Sequence, residues 1–254
     1  MFRVLSGDRT LFYSNYKRME LNKIYQCDVL EGLRQLDDDS IDLIITSPPY
    51  NKAGLVGKKK RRSYDIWEKN IDYTSDIDNM PEYYYEEWQI KVLNECYRVL
   101  KPDGSMFYNH KVRTHKNNII HPIQWISLSN FRCRQIITWD RTCTPNVDDC
   151  RYLPTTELIF WLNKTDKNPK FKNTSKLSEV WRIAPDKNTA HPAPFPIQIP
   201  DNIIPNVAQG ERITVLDPFM GSGTVAVSAK KNGCDYIGFE LSENYVKMAQ
   251  DRLQ

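Results

Sequence analysis

Ile41–Thr46 is an apolar run, and directly behind it Ser47-Pro48-Pro49-Tyr50 sets a hydroxyl, two ring-locked residues and an aromatic ring. Proline fixes φ near about −65°. The Ser47 hydroxyl and the Pro48 carbonyl therefore form two hydrogen-bond acceptors on a stiff corner, with Pro49 holding the carbonyl still. That pairing suits the activation of an amine. An amino group on an aromatic ring is a poor nucleophile because its lone pair is delocalised. Acceptors for its hydrogens draw the nitrogen toward sp3 geometry and return the lone pair. Tyr50 can stack on an extruded base that carries the amine. The plainer reading is a strand-ending turn with a packed tyrosine.

A second constellation lies far along the chain. The run Ile213–Leu216 leads into Asp217-Pro218-Phe219-Met220-Gly221-Ser222-Gly223-Thr224 and a helical pattern. Gly221 and Gly223 allow a sharp turn and a close approach of backbone to ligand. The helix start offers unpaired N–H groups. The spacing is not GxGxxG, which weakens a pyrophosphate reading. The next apolar run ends in Glu240, where a carboxylate can accept from two ribose hydroxyls. Ribose without pyrophosphate points to S-adenosyl-L-methionine. The plainer reading is a tight strand-to-helix turn with Glu240 as a solvated cap.

Elements that could position these residues alternate along the chain. Strand patterns fall at 23–26, 41–46, 105–109, 134–139, 157–162, 213–216 and 236–240. Helical patterns fall at 29–36, 83–100, 122–128, 224–232 and 243–253. The run at 41–46 is apolar apart from Asp42 and Thr46, as for a strand buried on both faces. Strands separated by helices define an α/β domain with a mostly parallel sheet. Two segments interrupt the rhythm: 52–81, polar and basic, and 164–200, rich in Lys, Asn and Pro. Trp139, Trp161 and Trp181 fall in apolar context and are expected in the core.

The 254 residues suit a single domain, 1–254, and 40 % hydrophobic content is enough to build a core. A net charge of +3 does not by itself demand a polyanionic partner. Charge is instead clustered. Lys58, Lys59, Lys60, Arg61 and Arg62 follow the proline corner and are expected to contact DNA phosphates. No apolar run approaches the ~20 residues of a membrane span. With no leader-like start, a cytoplasmic protein is expected. The six cysteines form no CxxC pair and the four histidines no ligand spacing, so no metal is expected.

Taken together, these segments resemble the β-group of DNA amino-methyltransferases. Residues 45–51, ITSPPYN, resemble that family's motif IV, and residues 217–224, DPFMGSGT, resemble its cofactor motif. Residues 238–241, GFEL, resemble its acidic ribose motif; 27–30, CDVL, its adenine-binding aspartate segment; 98–104, RVLKPDG, its RxLKPxG turn; and 191–196, HPAPFP, its HPA-x-FP segment near the methionine end of the cofactor. The order, proline motif before glycine motif, is that of the β-group.

The resemblance implies a Rossmann-like methyltransferase fold with a seven-stranded, mostly parallel sheet, helices on both faces and permuted motif order. It implies S-adenosyl-L-methionine held by Asp28, Asp217, Pro218, Phe219, Gly221, Gly223, Thr224, Glu240 and His191. Catalysis falls to Ser47, Pro48, Pro49 and Tyr50. Double-stranded DNA is the partner, with a homodimer and a cognate restriction endonuclease as further partners. Residues 52–81 read as a basic loop insertion and 141–190 as the target-recognition region. Ser47 and HPAPFP favour N4 of cytosine. Adenine N6 stays open, as do an RNA or protein substrate and a non-catalytic nucleic-acid-binding module.

Overall fold

The computed structural model describes residues 19–51, 79–144, 149–185 and 196–254. Among them, eight strands form one mixed sheet in the order β1-β10-β9-β2-β3-β7-β6-β8. The strands are β1 (Lys23–Gln26), β2 (Ile41–Thr46), β3 (Leu100–His110), β6 (Arg132–Asp140), β7 (Thr156–Asn163), β8 (Val180–Arg182), β9 (Thr214–Asp217) and β10 (Asp235–Glu240). Strands β1, β10, β9, β2 and β3 are mutually parallel, and β7 runs against both β3 and β6. The seven strands expected are present, and the eighth is the short edge strand β8. A hairpin of β4 (Arg113–His115) and β5 (Asn118–Ile120) stands apart from this sheet.

Alternation along the strands builds two cores. Leu43, Ile45, Phe107, Ile159, Trp161 and Val215 face one side of the sheet. Ile44, Met106, Tyr108, Phe160, Leu162 and Leu216 face the other. Helices α1 (Val29–Arg34), α2 (Glu82–Val99) and α3 (Ile123–Ile126) cover the second face. Helices α4 (Gln198–Ala208), α5 (Thr224–Lys231) and α6 (Glu243–Leu253) cover the first. Trp139, Trp161 and Trp181 are buried, as expected. No helix among the described residues is long and apolar enough to cross a membrane.

Helix α4 lies where the sequence shows only a polar, proline-rich stretch and its aftermath. Pro200 falls in its first turn, where a missing N–H costs no helical bond. Ile199, Ile203, Ile204, Val207 and Ala208 form its buried stripe. The segment 141–190, expected to recognise the target, shares the main sheet through its described residues. It contains β7, paired on both sides inside the sheet, and the edge strand β8.

Candidate active site

Strands β9 and β2 are neighbours, with Leu43 opposite Val215 and Ile44 opposite Leu216. That register brings the ends of the two motifs together. The Thr46 hydroxyl donates to Asp217 Oδ1 at 2.8 Å, across 171 positions of sequence. The same oxygen accepts from the Phe219 amide at 3.0 Å. Beyond β9 the chain leaves through α5 toward β10, and beyond β2 through α2 toward β3, on opposite sides. The sheet therefore reverses its winding between β9 and β2. A crevice at such a switch point, outside the carboxyl ends of the strands, is where open α/β sheets take ligands.

Four adjacent parallel strands carry chemistry at those ends. Asp28 follows β1, Glu240 closes β10, Asp217 closes β9 and Ser47 follows β2. The Cys27 amide donates to the Glu240 carbonyl at 3.1 Å, which sets Asp28 beside the Glu240 strand. Asp28 Oδ1 caps α1 by accepting from the Leu30 and Glu31 amides at 2.9 and 3.3 Å. The Glu240 carboxylate accepts from the Gly221 amide at 2.8 Å through Oε2 and from the Ser242 amide at 2.9 Å through Oε1. An ionised carboxylate has about four acceptor sites, so these two bonds fix its orientation and leave capacity for a diol. Burial raises the pKa of Glu240, opposed by these amides. Burial also pushes Asp217 up to about 7, against the Thr46 and Phe219 hydrogen bonds and with the Glu240 charge.

The glycine turn is built to tight tolerances. Gly221 and Gly223 have φ of 50° and 82°. A Cβ on Gly223 would lie 2.7 Å from Ala249 Cβ on α6, so backbone and helix approach where only glycine fits. Arg252, also on α6, holds the turn from outside. Its Nη1 donates to the Ser222 carbonyl at 2.7 Å and to the Ser222 and Thr224 hydroxyls at 3.1 Å. Phe219 packs edge-on to Trp88 of α2, with centroids 5.6 Å apart.

The proline corner is held by residues from three other elements. Tyr85 of α2 is buried and its hydroxyl donates to the Pro49 carbonyl at 2.6 Å. The same hydroxyl meets His110 Nε2 at 2.7 Å. Tyr85 therefore packs in the core, while Tyr83 and Tyr84 are exposed. The Tyr50 ring lies 4.6 Å from the His110 ring. Its hydroxyl contacts Ser47 Oγ at 2.8 Å, Asn109 Nδ2 at 2.6 Å and Glu157 Oε2 at 2.9 Å. Arg141 Nη1 donates to Glu157 Oε1 at 2.9 Å. Burial, then the Glu157 charge, raise the Tyr50 phenol well above its ordinary pKa.

Asn109 and Glu157 are not among the residues expected from the motifs. Each sits on a strand flanking the corner and carries a polar group at a 1 % and 5 % exposed position. A polar residue amid buried strand positions was the available signal. At the end of β6, Arg141 takes Glu157, and Asp140 meets Arg182 at 3.4 Å. Asn51 pairs with Met80, its side-chain oxygen accepting from the Met80 N–H at 2.8 Å and its Nδ2 donating to the Met80 carbonyl at 2.9 Å. His191 and the cations Lys58, Lys59, Lys60, Arg61 and Arg62 lie outside the described residues.

A doubly wound sheet with a glycine turn, an acidic strand tip and a rigid proline corner at one switch point defines a nucleoside-cofactor transferase of the Rossmann-like class. Residues 41–251 match the DNA methylase family N6_N4_Mtase, and the chain belongs to that family. It is 28 % identical over 274 residues to the Type II methyltransferase M.BglII of Bacillus subtilis, covering 93 % of this chain and 70 % of that protein. Its fold matches the cytosine-N4-specific PvuII DNA methyltransferase with a TM-score of 0.72 at 23 % identity, over 91 % of this chain and 86 % of that one. The M1.HpyAVI–SAM complex matches with a TM-score of 0.62 at 22 % identity, over 91 % and 98 %.

Proposed function

We propose that this DNA methylase transfers a methyl group from S-adenosyl-L-methionine to N4 of a flipped cytosine in duplex DNA. The observation that carries this reading is the Thr46–Asp217 hydrogen bond, which joins the corner suited to an aromatic amine to the turn suited to the cofactor. The residues fit the cofactor: Glu240 is anchored with acceptor capacity left, and Gly223 occupies a contact that a Cβ would fill. Glu240 would hold the ribose hydroxyls, Asp28 the adenine, and Asp217 through Thr224 the rest of the cofactor, with His191 at its methionine end. When bound, the cofactor supplies an electrophilic methyl group on sulfonium sulfur, so no general base is needed before attack.

The chain's own part is placement and electronic preparation. Ser47 Oγ and the Pro48 carbonyl accept the two amino hydrogens and free the nitrogen lone pair. Tyr50 offers a ring to the extruded base. Ser47 as a neutral hydroxyl and the HPAPFP segment favour cytosine. Lys58, Lys59, Lys60, Arg61 and Arg62 hold phosphates. A cognate restriction endonuclease and a second copy of this chain complete the proposal as partners.

The test offers labelled S-adenosyl-L-methionine with duplex DNA, RNA and protein in parallel, followed by mass spectrometry of the modified nucleosides. N4-methylcytosine in DNA is the expected product, and Ser47→Ala is expected to abolish most of it. N6-methyladenine as the only product rejects cytosine. Label in RNA or protein alone rejects DNA as the substrate.

A further inference from the structure

Five polar side chains at the proline corner, Ser47, Tyr50, Asn109, Arg141 and Glu157, share one hydrogen-bonded network, and the donors and acceptors along it can be counted. Glu157 is 5 % exposed and accepts on both oxygens. Oε1 takes Arg141 at 2.9 Å. Oε2 takes the Tyr50 hydroxyl at 2.9 Å and Asn109 Nδ2 at 3.1 Å. The Tyr50 proton is thereby committed to Glu157. The 2.8 Å contact between Ser47 Oγ and the Tyr50 oxygen then needs the Ser47 proton, because Tyr50 has none left to give. Asn109 has two amide hydrogens and three acceptors in reach. The nearer two, the Tyr50 oxygen at 2.6 Å and Glu157 Oε2 at 3.1 Å, take them ahead of Ser47 Oγ at 3.2 Å. The protons of Ser47, Tyr50 and Asn109 thus run toward the carboxylate, directly or through the Tyr50 oxygen.

We infer that Glu157, acting through Tyr50, is a positioning residue that turns the Ser47 hydroxyl into a pure acceptor facing the substrate amino group. This rests on the amino-methyl transfer proposed above and adds to it a device that neither motif contains. A serine hydroxyl free to rotate could present its hydrogen to the amine, which is a repulsive donor–donor contact. With its proton held by Tyr50, Ser47 Oγ presents only lone pairs. The hydrogen-bonded chain ends on a carboxylate, so Ser47 also accepts more strongly than an isolated hydroxyl. The Tyr50 hydroxyl therefore has a role separable from its ring. Arg141 fixes which way Glu157 can be replaced. A guanidinium only donates, so a glutamine at 157 must turn its carbonyl oxygen to Arg141 and its NH2 to Tyr50. Tyr50 then donates to Ser47 Oγ and occupies the lone pair the substrate needs.

Two substitutions and their combination test the relay on duplex DNA with labelled S-adenosyl-L-methionine. Glu157→Gln is expected to lower kcat by roughly 10²-fold, the scale of removing one oriented polar group from the transition state. Its cofactor Kd, read by calorimetry, should stay within about two-fold of the parent, since the effect belongs to the chemical step. Tyr50→Phe keeps the ring and should cost a similar factor. Combined, the two should cost no more than Tyr50→Phe alone, because with no phenol the carboxylate has nothing to act through. Full kcat in Tyr50→Phe overturns the relay, and it does so even if Glu157→Gln fails to fold. Unchanged kcat in Glu157→Gln, or multiplicative losses in the double variant, also overturn it. Absence of methyl transfer to DNA by the unaltered chain overturns the proposed function as well, which separates the two failures.

Discussion

Asp217 is buried at 4 % exposure, yet it holds the two halves of the site together through Thr46 and Phe219. Burial lifts its carboxyl from 3.8 to about 7. In the folded chain it binds a proton over a pH range in which the unfolded chain has released it. Its contribution to stability is therefore complete below the ordinary carboxylate range and is lost as pH rises toward neutrality. Asp217→Asn keeps an acceptor for Thr46 and Phe219 but cannot ionise. Relative to the parent, it is expected to gain roughly 1.4 kcal/mol of stability for each pH unit between about 5 and 7. Paired chemical denaturation across that range measures this, and parallel stability curves for the two proteins contradict it. Asp235 has the opposite sense: Arg212 holds its carboxyl below the ordinary range, so its contribution is lost as pH falls.

Among the elements, the glycine turn and α6 form one unit. Gly223 adopts φ 82° and meets Ala249 where a Cβ would stand at 2.7 Å. Gly223→Ala combines left-handed strain with overpacking. It is expected to cost about 1–3 kcal/mol in stability and to weaken cofactor binding with it. Arg252→Ala removes the outer clamp on Ser222 and Thr224 without touching the backbone geometry. It is expected to weaken cofactor binding about tenfold while changing stability by less than Gly223→Ala does. Calorimetric titration with S-adenosyl-L-methionine, beside thermal melts, separates the two. Equal losses of stability would mean that Arg252 serves packing rather than the turn.

Across the whole molecule, a net charge of +3 leaves any electrostatic grip on DNA to local clusters. Asn51, next to the proline corner in sequence, pairs with Met80. Lys58–Arg62, which fall between Asn51 and Met80 in sequence, are the cations proposed above to hold phosphates. Replacing all five cations with glutamine is expected to reduce the slope of log K against log salt by roughly 0.9 for each phosphate that is no longer neutralised. Binding isotherms over a salt series test this, and an unchanged slope assigns DNA binding to other surfaces.

Local pattern was enough to read the strand ending at Thr46, the glycine turn after Asp217 and the alternation of strands and helices. Each depends on a few consecutive side chains: apolar runs that must be buried, prolines that lock φ, glycines that allow it to be positive. Helix α4 escaped because Pro200 and Pro205 hide its buried stripe, and β8 because three residues carry too little pattern. Glu157, Asn109 and Arg141 escaped for a different reason. They lie on or directly after three different strands, and a carboxylate at 157 acquires meaning only when β7 is set against β3 in the register that faces it to Tyr50. Chemistry carried by neighbours in sequence is legible without a fold. A hydrogen-bond polarity shared by residues 47, 50, 109, 141 and 157 exists only once the sheet has brought them within about 3 Å of one another, since hydrogen bonds act over no greater range.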